Sequence, residues 1–288
     1  MEDHLTTALG CSAIEAASGV TELVDENMAN AARVHSVENG RDIEHFTMIA
    51  FGGGAPLHAC RLCEKLGIRE VIVPPGAGVG SAIGFLKAPI SYEATRGFFQ
   101  KMSHFDPDRV NRMLKALEDE ATAFVKHGAG KAETTQHLTA FMRYSGQGWE
   151  IPVDLPFKTF THSDQQTILS AFESAYRQLF GRTIDGLEVE ITNWSVVVST
   201  RRAETQRAAP PTATWERPAT RNRTFYDARL RQMVDAQEVE RHTMAPGQTV
   251  AGPAIITESE TSTIITSAFY AVAQNDGSLR LTRKETAT

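Results

Sequence analysis

The chain has 288 residues, 41% of them hydrophobic and 22% charged, with a formal net charge of −6. That length holds one large domain or two smaller ones, and the composition belongs to a folded globular chain rather than a disordered one. The acidic balance without a basic stripe argues against nucleic acid, and no apolar run of about 18 residues reads as a membrane span.

The first third reads as α/β. Ile14, Ala17, Val20, Leu23, Val24, Met28 and Ala31 recur at helical spacing and predict a helix over 13–34, followed by a turn at Asn39-Gly40. Residues 46–51 read as a short buried strand that runs into Gly52-Gly53-Gly54-Ala55-Pro56. A helix is expected over 57–66, ended by Gly67, and a second buried strand over 70–73, stopped by Pro74-Pro75. A further glycine turn, 76–80, leads into a short helix over 81–86. Strand, glycine turn, helix and strand make the pattern of a βαβ crossover in a covered sheet.

An amphipathic helix is predicted over 106–125, with Asp106 as its cap and Pro107 at the first helical position. Segments 137–143 and 150–153 read as strands around Gly146-Gln147-Gly148, 163–179 as a helix capped by Ser163, and 188–200 as a strand. Residues 208–218 hold three prolines and read as a linker. Beyond it lie short strands punctuated by Gly247, Gly252-Pro253 and Asp276-Gly277. Three domains are expected: 1–90 with the glycine loops, an α+β domain over 91–207, and a β-rich module over 208–288.

The strongest chemical signal is Phe51-Gly52-Gly53-Gly54-Ala55-Pro56-Leu57-His58-Ala59. A strand that stops in three glycines clears side chains from the turn, so backbone amides can approach a flat or anionic ligand. The helix that follows points its positive end at the same space. Nucleotide contact and a tight turn with close helix–strand packing both remain open. The second cluster, with Gly76 and Gly78, follows the neighbouring strand. Ends of adjacent parallel strands lie on one side of a sheet, so the two turns can form two walls of one pocket.

The other candidates read more plainly. His58 beside the first loop can touch a phosphate or substrate oxygen, or serve in capping and packing. Cys60 and Cys63 form a CxxC inside a predicted helix without a second ligand pair, so packing is expected rather than zinc. With Cys11 they make an odd, sparse count that fits a reducing compartment, and the acidic start Met1-Glu2-Asp3-His4 lacks an export pattern, so a cytoplasmic location is expected. Glu258 and Glu260 share one strand face and read as a solvated edge. Arg143-Tyr144-Ser145-Gly146-Gln147-Gly148-Trp149-Glu150 reads as a hairpin with a buried Arg–Glu contact, or as an interface or substrate wall.

Taken in order, these segments resemble the hydantoinase A and oxoprolinase family. The resemblance rests on 51–59, 66–68 and 73–84, on Glu26-Asn27-Met28-Ala29 and 37–40 before them, and on 143–150, 251–256, Ser262-Thr263 and 277–279 after them. It implies the actin-like, Hsp70-like and sugar-kinase-like ATPase fold, followed by an α+β region and a small β-rich module. It implies that Gly52, Gly53, Gly54 and Ala55 contact adenosine. It further implies that ATP activates a ketone, lactam or hydantoin carbonyl through a phosphorylated enol or imidate, and that a hydantoinase B-like protein completes carboxylation or hydrolysis.

Members of that family open with a phosphate-binding segment carrying an aspartate, glycines and a threonine, and none precedes residue 10 here. The chain is therefore expected to be a subunit, or the C-terminal part, of such an enzyme, and inactive alone. It resembles short subunits of acetophenone-carboxylase-like or acetone-carboxylase-like complexes. A hydantoinase A-like partner would then supply the parts that hold Mg²⁺ and the phosphate. A non-catalytic assembly subunit that never binds ATP is the alternative. Glu173 and Ala175 stand where relatives place histidines, a departure from the family pattern.

Overall fold

The computed structural model describes residues 6–201, 209–215 and 220–285. The chain forms two compact units, one of residues 1–87 with 206–288 and one of residues 88–205.

The first unit opens with α1 (Ala13–Glu38), where Ser12 caps Glu15 N at 3.2 Å and Glu15 returns a bond to Ser12 N at 2.9 Å. β1 (Met48–Ile49) is shorter than the predicted strand. Asp42 caps a 3₁₀ turn just before it, and Gly52 leaves the extended region just after it. α2 (Ala55–Leu66) ends at Gly67 with φ 75°, as glycine permits. β2 (Glu70–Val73) pairs parallel with β1, and α3 (Gly80–Lys87) closes this stretch.

The second unit contains β3 (Ser91–Lys101), α4 (Pro107–Ala129), β4 (Thr134–Tyr144), β5 (Ile151–Leu155), α5 (Gln165–Phe180) and β6 (Val189–Thr200). Its antiparallel sheet runs β3-β6-β4-β5. Asp106 caps α4 through Arg109 N at 3.0 Å, with Pro107 at the first position. The predicted cap Ser163 gives way to Thr161, whose N–H and Oγ1 both donate to Asp164 Oδ2 while Asp164 N donates to Thr161 O at 3.0 Å, holding the turn before α5. β3 has no counterpart among the predicted strands, because Glu93, Arg96, Gly97 and Lys101 blur its alternation. Trp194, Phe172, Met142, Ile168 and Leu117 fill the core between sheet and helices.

The chain then returns to the first unit with β7 (Thr220–Asp227), β8 (Gln232–Glu240), β9 (Thr249–Ala251), β10 (Ala254–Thr257), β11 (Ser262–Ile265), β12 (Phe269–Ala273) and β13 (Leu279–Arg283). β13 pairs antiparallel with β2, so one sheet runs β1-β2-β13-β12-β9 while a second runs β11-β10-β8-β7. Segments 1–90 and 208–288, expected as separate domains, thus share a sheet. Val71, Val73, Leu279, Leu281 and Phe269 form one core that neither segment builds alone. Of the expected linker, residues 208 and 216–218 lie outside the described residues, and Thr214 bridges Gln248.

Candidate functional site

Because β1 and β2 run parallel, with Ile49 opposite Ile72, their C-terminal ends emerge side by side. Each runs into a glycine loop. Gly52 has φ +112°, a conformation closed to most side chains, and its N–H donates to Ala77 O at 3.0 Å. This bond ties the first loop to the second. The amides of Gly53 and Gly54 have no hydrogen-bond partner among the described residues. A Cβ at Gly54 would meet nothing within 4 Å, and one at Gly53 only Glu260 O at 3.8 Å. The backbone face is open.

A third loop, between β10 and β11, completes the arrangement. Thr261 Oγ1 donates to Gly53 O at 2.7 Å. A Cβ on Gly78 would lie 2.7 Å from both the Cβ and the O of Glu260, so only glycine fits there. Arg241 anchors this loop to the sheet. It donates to Val73 O at 2.7 Å, Pro74 O at 3.1 Å, Gly277 O at 2.8 Å and Glu258 Oε1 at 2.6 Å. The Arg241 and Glu258 side chains are 9% and 11% exposed. Glu258 is therefore a buried ion-pair partner, not the solvated edge residue its strand periodicity implies. A cavity of about 470 Å³ opens beside these loops, lined by Pro75, Gly76, Arg241, Glu258, Glu260 and Gln274 among others.

Gly52, Gly53, Gly54, Gly76 and Gly78 thus lie on neighbouring loops, with Ala55 at the start of α2. His58 turns elsewhere. Its Nδ1 lies 2.7 Å from Asp25 Oδ1 of α1, and the Asp25 side chain is 2% exposed. Burial pushes the Asp25 carboxyl up, and the bond to His58 draws it back. One helical turn on, Arg61 bonds both oxygens of Glu22, holding that carboxyl down to about 2, and Lys65 joins Glu22 and Glu26. This ladder fastens α1 to α2.

Cys60 and Cys63 are buried on α2, and burial raises both thiols, Cys63 to about 12. In the second unit Arg143 pairs with Glu190 at 3.2 Å, while Glu150 bonds Thr192 and Asn193 instead. Trp149 stands 80% exposed at that turn.

The hydantoinase/oxoprolinase family profile matches residues 1–94, and the profile of the hydantoinase/oxoprolinase C-terminal domain matches residues 102–282. The chain belongs to the hydantoinase/oxoprolinase family. Relatives include a Methanocaldococcus jannaschii protein, 28% identical over 289 residues and 97% of this chain. The caprolactamase alpha subunit of Pseudomonas jessenii and the acetone carboxylase beta subunit of Xanthobacter autotrophicus are each 26% identical over 92% of this chain. The chain spans 39% of the length of each of these three curated relatives. The nucleotide-free acetone carboxylase structure shares the fold with TM-score 0.77 at 23% identity, covering 98% of this chain and 42% of that one. The ATP-dependent caprolactamase structure does so with TM-score 0.71 at 24% identity, covering 99% and 42%.

Proposed function

We propose that this chain is part of an ATP-dependent carboxylase or hydrolase complex, in which Gly52, Gly53, Gly54, Ala55, Gly76 and Gly78 line an adenosine site. The observation that carries this reading is the meeting of three loops at the ends of β1, β2 and β10, with the Gly53 and Gly54 amides left open. Bare amides and the positive end of α2 suit a flat, polar ligand joined to an anion. Relatives whose names carry acetone carboxylase and ATP-dependent caprolactamase support ATP as that ligand.

In this reading the first unit is the second half of an actin-like ATPase fold. A hydantoinase A-like partner holds Mg²⁺ and the transferring phosphate, and a hydantoinase B-like subunit completes the reaction. ATP supplies the phosphoryl group that activates a ketone, lactam or hydantoin carbonyl. His58 acts from behind the loop, fixing α2 through Asp25. A second reading, a non-catalytic assembly subunit, is favoured by the packing of Gly78 on Glu260 and of the Phe51 ring on Gly80, which would require these glycines without ATP.

Calorimetry with an ATP analogue separates the two, on the chain alone and on the complex that copurifies with it. Binding in the complex that is lost in Gly53→Val supports the shared site. No binding in an intact complex leaves the assembly subunit.

A further inference from the structure

The first unit holds another cavity, of about 550 Å³, between the turn joining β7 to β8 and the adjoining ends of β2 and β13. Arg69, Arg229, Arg283 and Lys284 line it. In a chain with 35 acidic and 29 basic residues this is a local reversal of sign.

Three local structures gather these cations. Arg283 N donates to Arg69 O at 2.9 Å, one step beyond the pair Thr282 and Glu70, so the two arginines stand opposite each other on an antiparallel ladder. Like charges placed so are destabilising unless something lies between them. Asp227, 2% exposed, accepts the amides of Arg229 and Leu230 at 2.9 and 3.1 Å and shapes the turn that presents Arg229. Lys284 Nζ donates to Gly252 O at 2.8 Å and Ser267 O at 2.9 Å, and burial lowers its affinity for the proton.

Elsewhere in the chain, Arg33, Arg61, Arg143, Arg241 and Arg280 each pair with a carboxylate, while among the described residues scattered arginines such as Arg112 and Arg182 do not. The side chains of Arg69, Arg229 and Arg283 have no hydrogen bond or ion pair among the described residues. The carboxylates near them are Glu285 in the lining, Glu44 against Gly67 at the rim, and Asp227, already bonded to two amides.

We propose that this pocket is a binding site for a small multivalent oxyanion, a phosphoryl or polycarboxylate group, gripped by Arg69, Arg229 and Arg283 with Lys284 beside them. Guanidinium forks pair with two oxygens of either group, and an anion between Arg69 and Arg283 turns their repulsion into attraction. None of the lining residues belongs to the glycine loops, so the site stands or falls separately from the adenosine reading.

The test is calorimetric titration of the 288-residue chain with pyrophosphate and with citrate at about 0.15 M ionic strength, where surface attraction is screened. One saturable site is expected, weakened about tenfold in Arg283→Gln and in Arg229→Gln, since a charge-assisted hydrogen bond is lost in each. Arg223→Gln, which breaks an ion pair with Glu238 away from the pocket, should leave it unchanged. Arg229 sits on an exposed turn, so its variant decides the matter even where Arg283→Gln disturbs the fold. Tighter pyrophosphate binding assigns a phosphoryl ligand, and tighter citrate binding a polycarboxylate. The absence of saturable binding by either, or equal affinity in Arg229→Gln and Arg223→Gln, overturns the proposal.

Discussion

Residues 88–205 stabilise themselves with large side chains: Trp194 and Phe172 are fully buried, and Tyr144 packs edge-on against both Phe172 and Tyr176. Residues 6–87 and 209–285 invest instead in backbone. Arg241 holds the 258–261 loop to the end of β2, backbone and threonine bonds tie the first glycine loop to its neighbours, and one stripe of α1 leaves Val20, Leu23, Val34 and Val37 in water. Exposed apolar side chains in the second unit include Phe99, Phe124 and Trp149 from separate elements and the adjoining Leu179 and Phe180 at the end of α5. A unit built around a large aromatic core is suited to be a scaffold. A unit that exposes a helical stripe and open amides is suited to meet a partner and a ligand.

The largest expected effect lies in the scaffold. Trp194→Ala should cost about 4 kcal/mol by urea unfolding, the usual range for emptying a buried aromatic site. Trp194→Phe should cost far less, because Trp194 Nε1 has no hydrogen-bond partner among the described residues and its removal releases a buried donor. Equal losses in the two variants would mean that the ring's volume is not what the core uses.

Next comes the α1–α2 contact. His58→Ala leaves Asp25 buried without its partner and should lower the stability of the first unit by about 3 kcal/mol at neutral pH. An unchanged unfolding midpoint would remove the structural role assigned to His58.

A smaller effect comes from Glu22. Its carboxyl is held at about 2 against an ordinary 4.5, chiefly by Arg61. A folded value below the unfolded one gives stability that is present above pH 4.5 and lost as pH falls toward 2. The pair is partly solvated, so the contribution should stay below about 1 kcal/mol. Thermal unfolding of the native chain and Glu22→Gln should differ near neutrality and converge near pH 2. A gap that persists in acid would contradict the assignment. Smallest of all, Leu23→Asp should shift the stability of the chain alone by no more than about 0.5 kcal/mol while weakening assembly. A large loss in the isolated chain would mean that this stripe packs internally.

Local signals were legible in the sequence where one element carries them. The four residues of β2, the Asp106-Pro107 start of α4 and the Gly67 stop of α2 each rest on nearby chemistry. The adjacency of the two glycine loops was also readable, because parallel neighbouring strands must end together. What strand periodicity missed was long-range. Glu258 reads as solvated until Arg241 is placed over it, and Thr261 meets Gly53 from 208 residues away. Arg143 chooses Glu190 over Glu150 because pairing between β4 and β6 sets them opposite each other.

The most direct test is hydrogen exchange of the assembled complex with and without a non-hydrolysable ATP analogue. The account predicts slower exchange at the amides of 52–55, 57–58, 76–80 and 258–261 when the analogue is bound. Bound analogue with unchanged exchange in those three segments would contradict it.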